Sequence, residues 1–162
     1  MLTIARWLSE TAASSSLRDI YWLIPVLQTV HILAIAMVMS SVLMIDLRVW
    51  QVTRSQTIAD TARRFVAWIW AGLALLAASG APLIIAEPQR TLPNNSFQLK
   101  LVLLALAIAA TAVLCRVLRR DRSFEQIASR ASRAVQLLAA SSFLLWCAVG
   151  AAGRFIAYTQ PV

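Results

Sequence analysis

Residues 101–115 read Leu101-Val-Leu-Leu-Ala-Leu-Ala-Ile-Ala-Ala-Thr111-Ala-Val-Leu-Cys115. A helix wound from this stretch is apolar around its whole circumference apart from Thr111 and Cys115. A helix of a water-soluble bundle needs a polar face, and a membrane-barrel strand alternates apolar and polar positions over about ten residues. Neither pattern is present. Lipid is the solvent that suits the segment, because a helix satisfies its own backbone groups there. Lys100 and Arg116 bound it. Fifteen residues reach only about 22 Å of the roughly 30 Å of hydrocarbon, and the two charged heads extend outward on apolar stems to cover the difference.

Working outward, three more charge-free runs occupy residues 20–45, 65–86 and 134–153, with 26, 22 and 20 residues. Each is long enough to cross a bilayer. The whole chain agrees: of 162 residues 60% are hydrophobic and 14% charged, with a mean hydropathy of +0.72. The expected class is all-α, an integral membrane four-helix transmembrane bundle. It forms a single membrane domain over 1–162, with spans near 20–46, 65–87, 97–116 and 134–156.

Start signals refine the helices. Ser16 with Asp19, Thr57 with Asp60, and Ser123 with Gln126 each set a hydroxyl three residues before a side chain able to reach back to free amides. Asn95 with Gln98 is a looser version. The linker from Glu87 to Ser96 holds two prolines and two adjacent asparagines, which break helix and turn the chain. Helices are therefore expected near 17–53, 57–87, 96–119 and 124–159. Segment 2–16, interrupted by Arg6, does not resemble a cleaved signal peptide; Ile4, Trp7 and Leu8 share one side and suit a short helix in the membrane interface.

The basic residues set an orientation. Arg48, Arg54, Arg63, Arg64, Arg116, Arg119, Arg120, Arg122, Arg130 and Arg133 fall on one side, against Arg6, Arg18, Arg90, Lys100 and Arg154 on the other. Arginine and lysine near span ends favour the cytoplasm, so both termini are expected outside, in the periplasm of a bacterial inner (cytoplasmic) membrane. Arg in fourteen of the fifteen basic positions is in keeping with a GC-rich bacterial genome. The net charge of +8 then describes a face drawn to anionic lipid headgroups of the bilayer, and no nucleic-acid partner is expected.

Few groups carry chemistry. Cys115 and Cys147 lie toward opposite ends of their spans, too far apart for a disulfide, and read as packing residues. His31 is the chain's one histidine and lies about 13 Å in from Trp22, where an ionisable residue marks a functional site by default; a neutral ring bonded to a neighbouring helix is the bland alternative. Gln28 shares its face and is placed to orient one ring nitrogen, and Pro25 frees a carbonyl nearby. Imidazole ligates haem iron or copper, and it moves protons or serves quinone chemistry. A bis-histidine b-type haem needs the second ligand from another copy. Met37 and Met44 share a face turned away from His31 and cannot complete the set on the same helix. His31 is thus the expected metal or cofactor ligand, with haem b first and copper second.

A second cluster is expected at the outer rim: Glu87, Arg90, Asn95, Lys100 and Arg154, either an ion-pair network closing the bundle or a mouth for an anionic ligand or periplasmic partner. Gly150 and Gly153, among alanines, let another helix approach the fourth span and point to a homo-oligomer or a subunit of a membrane complex. Asp46 is expected in a rim salt bridge with Arg63 or Arg64. The sequence holds no phosphate loop, Ser-His-Asp set or zinc pattern, so an enzyme acting by itself is not expected.

His31, Asp46-Leu47-Arg48, Trp68-Ile-Trp-Ala-Gly72, Gly80, Glu87-Pro88 with Arg90, and Asn95-Ser-Phe97-Gln-Leu-Lys100, in this order, resemble a bacterial family of small four-helix membrane proteins, a domain of unknown function. The resemblance runs from Trp7 to Arg154 and implies the fold but no activity. The chain also distantly resembles the copper-resistance D membrane proteins, which work beside a periplasmic copper-binding partner, though it lacks their several His and Met residues. The expected function is a redox or metal-handling membrane subunit using His31. The alternatives are a copper-handling partner of a periplasmic protein and a purely structural anchor or assembly subunit.

Overall fold

A computed structural model describes residues 2–50, 52, 58–120 and 133–156. Seven helices appear among them: α1 (Leu2–Ser9), α2 (Ala12–Asp19), α3 (Leu23–Val49), α4 (Ile58–Ala86), α5 (Pro88–Thr91), α6 (Asn95–Arg120) and α7 (Arg133–Phe155). Four stretches, Leu23–Val49, Asp60–Ala86, Asn95–Leu118 and Arg133–Phe155, are long and apolar enough to cross a membrane. The fold is all-α.

The helix expected near 17–53 is two helices. Thr11, not Ser16, caps α2, its hydroxyl accepting from the Ser14 amide. The chain leaves the helical path at Ile20 and restarts at Leu23. Pro25 explains the restart, since its ring is tolerated in the first turn, where no preceding carbonyl needs its amide. It therefore does not disturb α3 beside His31. Pro82 inside α4 is the proline that withdraws a donor within a span, leaving the Ala78 carbonyl without its usual partner.

Pro88 and Pro93 turn the chain between α4 and α6. Glu87 precedes a proline and is held out of helical geometry, with φ −130° and ψ 61°. The cap of α6 is Asn94, one residue before the expected Asn95: its Oδ1 accepts from Ser96 N at 2.8 Å, and its carbonyl accepts from Phe97 N and Gln98 N. The expected caps at Thr57 and Ser123, and the beginning of the helix expected near 124–159, lie outside the described residues.

The long helices form a ring in which α3 packs closely on α4, α6 on α7, α3 less extensively on α7, and α4 least on α6. Neighbours run antiparallel. The core is a stripe at helical spacing on each: Val38, Val42, Ile45 and Val49 on α3; Ala62, Val66 and Ile69 on α4; Ala107, Leu114 and Leu118 on α6; Val135, Ala139, Trp146 and Val149 on α7. Alanines at the contacts bring backbones close, as packing in lipid requires. Two buried hydroxyls of the long helices are satisfied locally, Ser41 donating to Met37 O at 2.7 Å and Thr111 to Ala107 O at 2.8 Å. Ile32, Leu33, Val102, Leu106, Leu137 and Leu144 face outward, as they should if the surrounding solvent is hydrocarbon. Helices α1 and α2 fold over the end that carries α5, with Gln89 Nε2 donating to Ser9 Oγ at 2.8 Å.

Candidate functional site

His31 is the ninth residue of α3, about 12 Å from its start and roughly a third of the way along. Across the α3–α4 contact its Nδ1 lies 2.8 Å from Ser79 Oγ. That hydroxyl also lies 2.7 Å from Leu75 O; when its one hydrogen goes to that carbonyl, it accepts from Nδ1–H and the lone pair of the neutral imidazole is on Nε2. Nε2 has no hydrogen-bond partner among the described residues. The ring lies against Gly80, where an added Cβ would stand 3.2 Å from Cε1; α4 supplies both a polar anchor and the space beside it.

Lys100 approaches from α6. Partly buried, it lays its chain over Gly153 of α7, where a Cβ would meet Nζ at 3.3 Å and Cε at 3.4 Å, and its ammonium is near enough to act electrostatically on His31. The stripe read as Gly150 and Gly153 thus divides in two. Gly153 makes room for a lysine of its own chain, whereas a Cβ at Gly150 meets nothing within 4 Å.

The residues expected at the rim differ in exposure. Glu87 and Arg90 form an exposed pair across one turn of α5, Nη1 to Oε2 3.2 Å. Asn95 is exposed at the start of α6, Arg154 is exposed near the end of α7, and Lys100 is partly buried, its chain lying over Gly153. Gln28 is on an exposed face of α3; the group on Nδ1 is Ser79. Sequence reasoning missed Ser79 and Gly80, although a hydroxyl and a glycine side by side, seven and six residues from the end of an apolar span, stand at the depth of His31. Among the described residues no three His, Cys, Asp or Glu side chains gather as a metal site, and neither cysteine is in a disulfide.

At the opposite end Asp46 is 2% exposed, and neither carboxylate oxygen has a hydrogen-bond partner among the described residues. The expected salt bridge is absent, because Arg63 and Arg64 lie on exposed positions of α4 while Asp46 turns into the packed face of α3 between Val42 and Val49.

The fold defines a class, all-α proteins with four apolar helices suited to a membrane bundle. Within it, the chain belongs to a family of unknown function (DUF6644), whose model matches residues 15–159. No curated protein and no solved structure matches, and nothing links the chain to the copper-resistance D proteins.

Proposed function

We propose that the protein is a membrane subunit of a redox or metal-handling assembly, in which His31 offers Nε2 as an axial ligand to a b-type haem. One observation carries the reading: Ser79 Oγ stands 2.8 Å from Nδ1 and 2.7 Å from Leu75 O, where it can accept from Nδ1–H while donating to the carbonyl. A histidine that ligates a metal characteristically donates its other ring N–H in this way, which fixes tautomer and ring orientation. The residues fit one half of a haem site. In that tautomer Nε2 carries the free lone pair, Gly80 lets the ring lie against α4, and Lys100 supplies a positive charge suited to a carboxylate-bearing group. Haem, when bound, supplies one-electron transfer; the chain positions the ring, sets its tautomer and excludes water with apolar neighbours.

A second histidine ligand would come from another copy or from a partner subunit, since this chain has one histidine. Open space at Gly150 supports a close helix contact with that copy. The arginine asymmetry supports a bacterial inner membrane with both termini periplasmic. The test is the haem-to-chain ratio of protein purified from its native membrane, with metal analysis beside it. One haem per two chains supports the shared site. Copper without haem would transfer the ligand role to that metal, and neither would leave a structural anchor as the better reading.

A further inference from the structure

The ring of helices is least tightly closed between α4 and α6, and a cavity of about 190 Å³ lies there. Val66, Trp70 and Leu73 of α4 face Ile108, Thr111 and Arg116 of α6 across it. It is open at the protein surface, Trp70 being 63% exposed and Arg116 exposed, while buried Trp146 of α7 lines its inner side.

The chemistry of the wall names the kind of occupant. Its deepest polar atom, Thr111 Oγ1, is saturated: it donates to Ala107 O, meets Ser142 Oγ at 2.9 Å and accepts from Trp146 Nε1 at 3.0 Å. What remains facing the space is aliphatic and aromatic. The lining runs from residue 66 to 73 on α4, about 10 Å or a third of the hydrocarbon thickness. At its arginine-rich end the apolar wall stops at Arg116, and Arg63, one turn before Val66 on the same face of α4, is exposed at the same end. An apolar slot ending in two cations matches one molecule in both halves, since basic sites between transmembrane helices receive anionic headgroups.

We propose that the α4–α6 crevice is a binding site for an anionic phospholipid, with an acyl chain against Trp70 and Trp146 and the phosphate at Arg116 and Arg63. This site lies at the end of the bundle away from His31 and does not depend on the role given to that residue. The full chain is reconstituted in bilayers of four parts phosphatidylcholine to one part phosphatidylglycerol, released into mild detergent, and weighed intact by native mass spectrometry. One phosphatidylglycerol should remain bound, with about tenfold preference over phosphatidylcholine. R116Q should abolish the preference. A112F, at a lining position of α6, fills the crevice without altering charge and should abolish retention, whereas R133Q, which removes a cation at the same end but outside the crevice, should change nothing. Retention surviving A112F, or equal losses in R116Q and R133Q, would mean diffuse attraction to a basic face and would overturn the proposal. So would a neutral lipid or quinone held with no phosphatidylglycerol preference. Should A112F not fold, quenching of buried Trp146 decides in a chain with the other five tryptophans changed to Phe. Phosphatidylglycerol brominated on its acyl chains should quench it several-fold more than brominated phosphatidylcholine, and equal quenching overturns the site.

Discussion

His31 Nδ1 and Ser79 Oγ, 2.8 Å apart and 48 residues apart in sequence, tie α3 to α4 inside the apolar layer. With its own hydrogen given to Leu75 O of α4, 2.7 Å away, the hydroxyl accepts from Nδ1–H. In that tautomer Nε2 is the nitrogen available for a ligand.

Ser79→Ala should therefore act twice. Loss of the acceptor should lower stability by about 0.5–1.5 kcal/mol, read from unfolding in detergent. It should also shift the midpoint potential of any bound haem, because the ring is no longer held in one tautomer. Ser79→Thr, which keeps the hydroxyl, should restore the potential. A merely structural serine would move stability and leave the potential unchanged.

Two glycines should respond in opposite senses. At Gly72 an added Cβ falls 2.5 Å from Val38 Cγ2 and 3.1 Å from Met37 Cε, so Gly72→Ala should separate α3 from α4 and cost about 1–3 kcal/mol. Gly150→Ala meets nothing within 4 Å and should be neutral or stabilising by up to about 1 kcal/mol through helix propensity. Gly150→Leu should break up oligomers in light-scattering mass measurements while leaving helicity intact. Equal unfolding losses for the two alanine variants would contradict the packing described.

The charge-free runs made the four apolar helices legible, because in lipid the side chains facing the solvent are as apolar as those facing the core. The same uniformity concealed how the helices face each other. With no polar side to mark the exterior, nothing in residues 65–86 singled out Ser79 and Gly80 as the face toward His31, and nothing laid Lys100 over Gly153. Gln28 looked like the partner because it is near in sequence and polar; Ser79 comes from the neighbouring helix. The charge of Asp46 at the end of its span suggests a rim salt bridge, while its helical spacing between Val42 and Val49 puts it on the buried stripe.

Asp46→Asn tests that placement. The substitution keeps the shape and removes an ionisable carboxyl from a site where the described residues offer it no hydrogen bond, so stability should rise by about 1 kcal/mol in thermal unfolding. A fall of similar size would mean that a partner holds the carboxylate.

The orientation proposed from the arginines predicts that reporter fusions after Arg54 and Arg122 are cytoplasmic and that one after Leu92 is periplasmic. A periplasmic signal after Arg122 would reverse it.

The claim that His31 carries the protein's chemistry is tested most directly by the reduced-minus-oxidised absorption spectrum of wild type and His31→Leu, purified side by side with matched helicity. The account predicts a b-type haem spectrum with a Soret band in the wild type and its loss in the variant. A Soret band that survives the substitution, or a wild type with neither haem nor copper beside a His31→Leu protein that folds and functions normally, would contradict it.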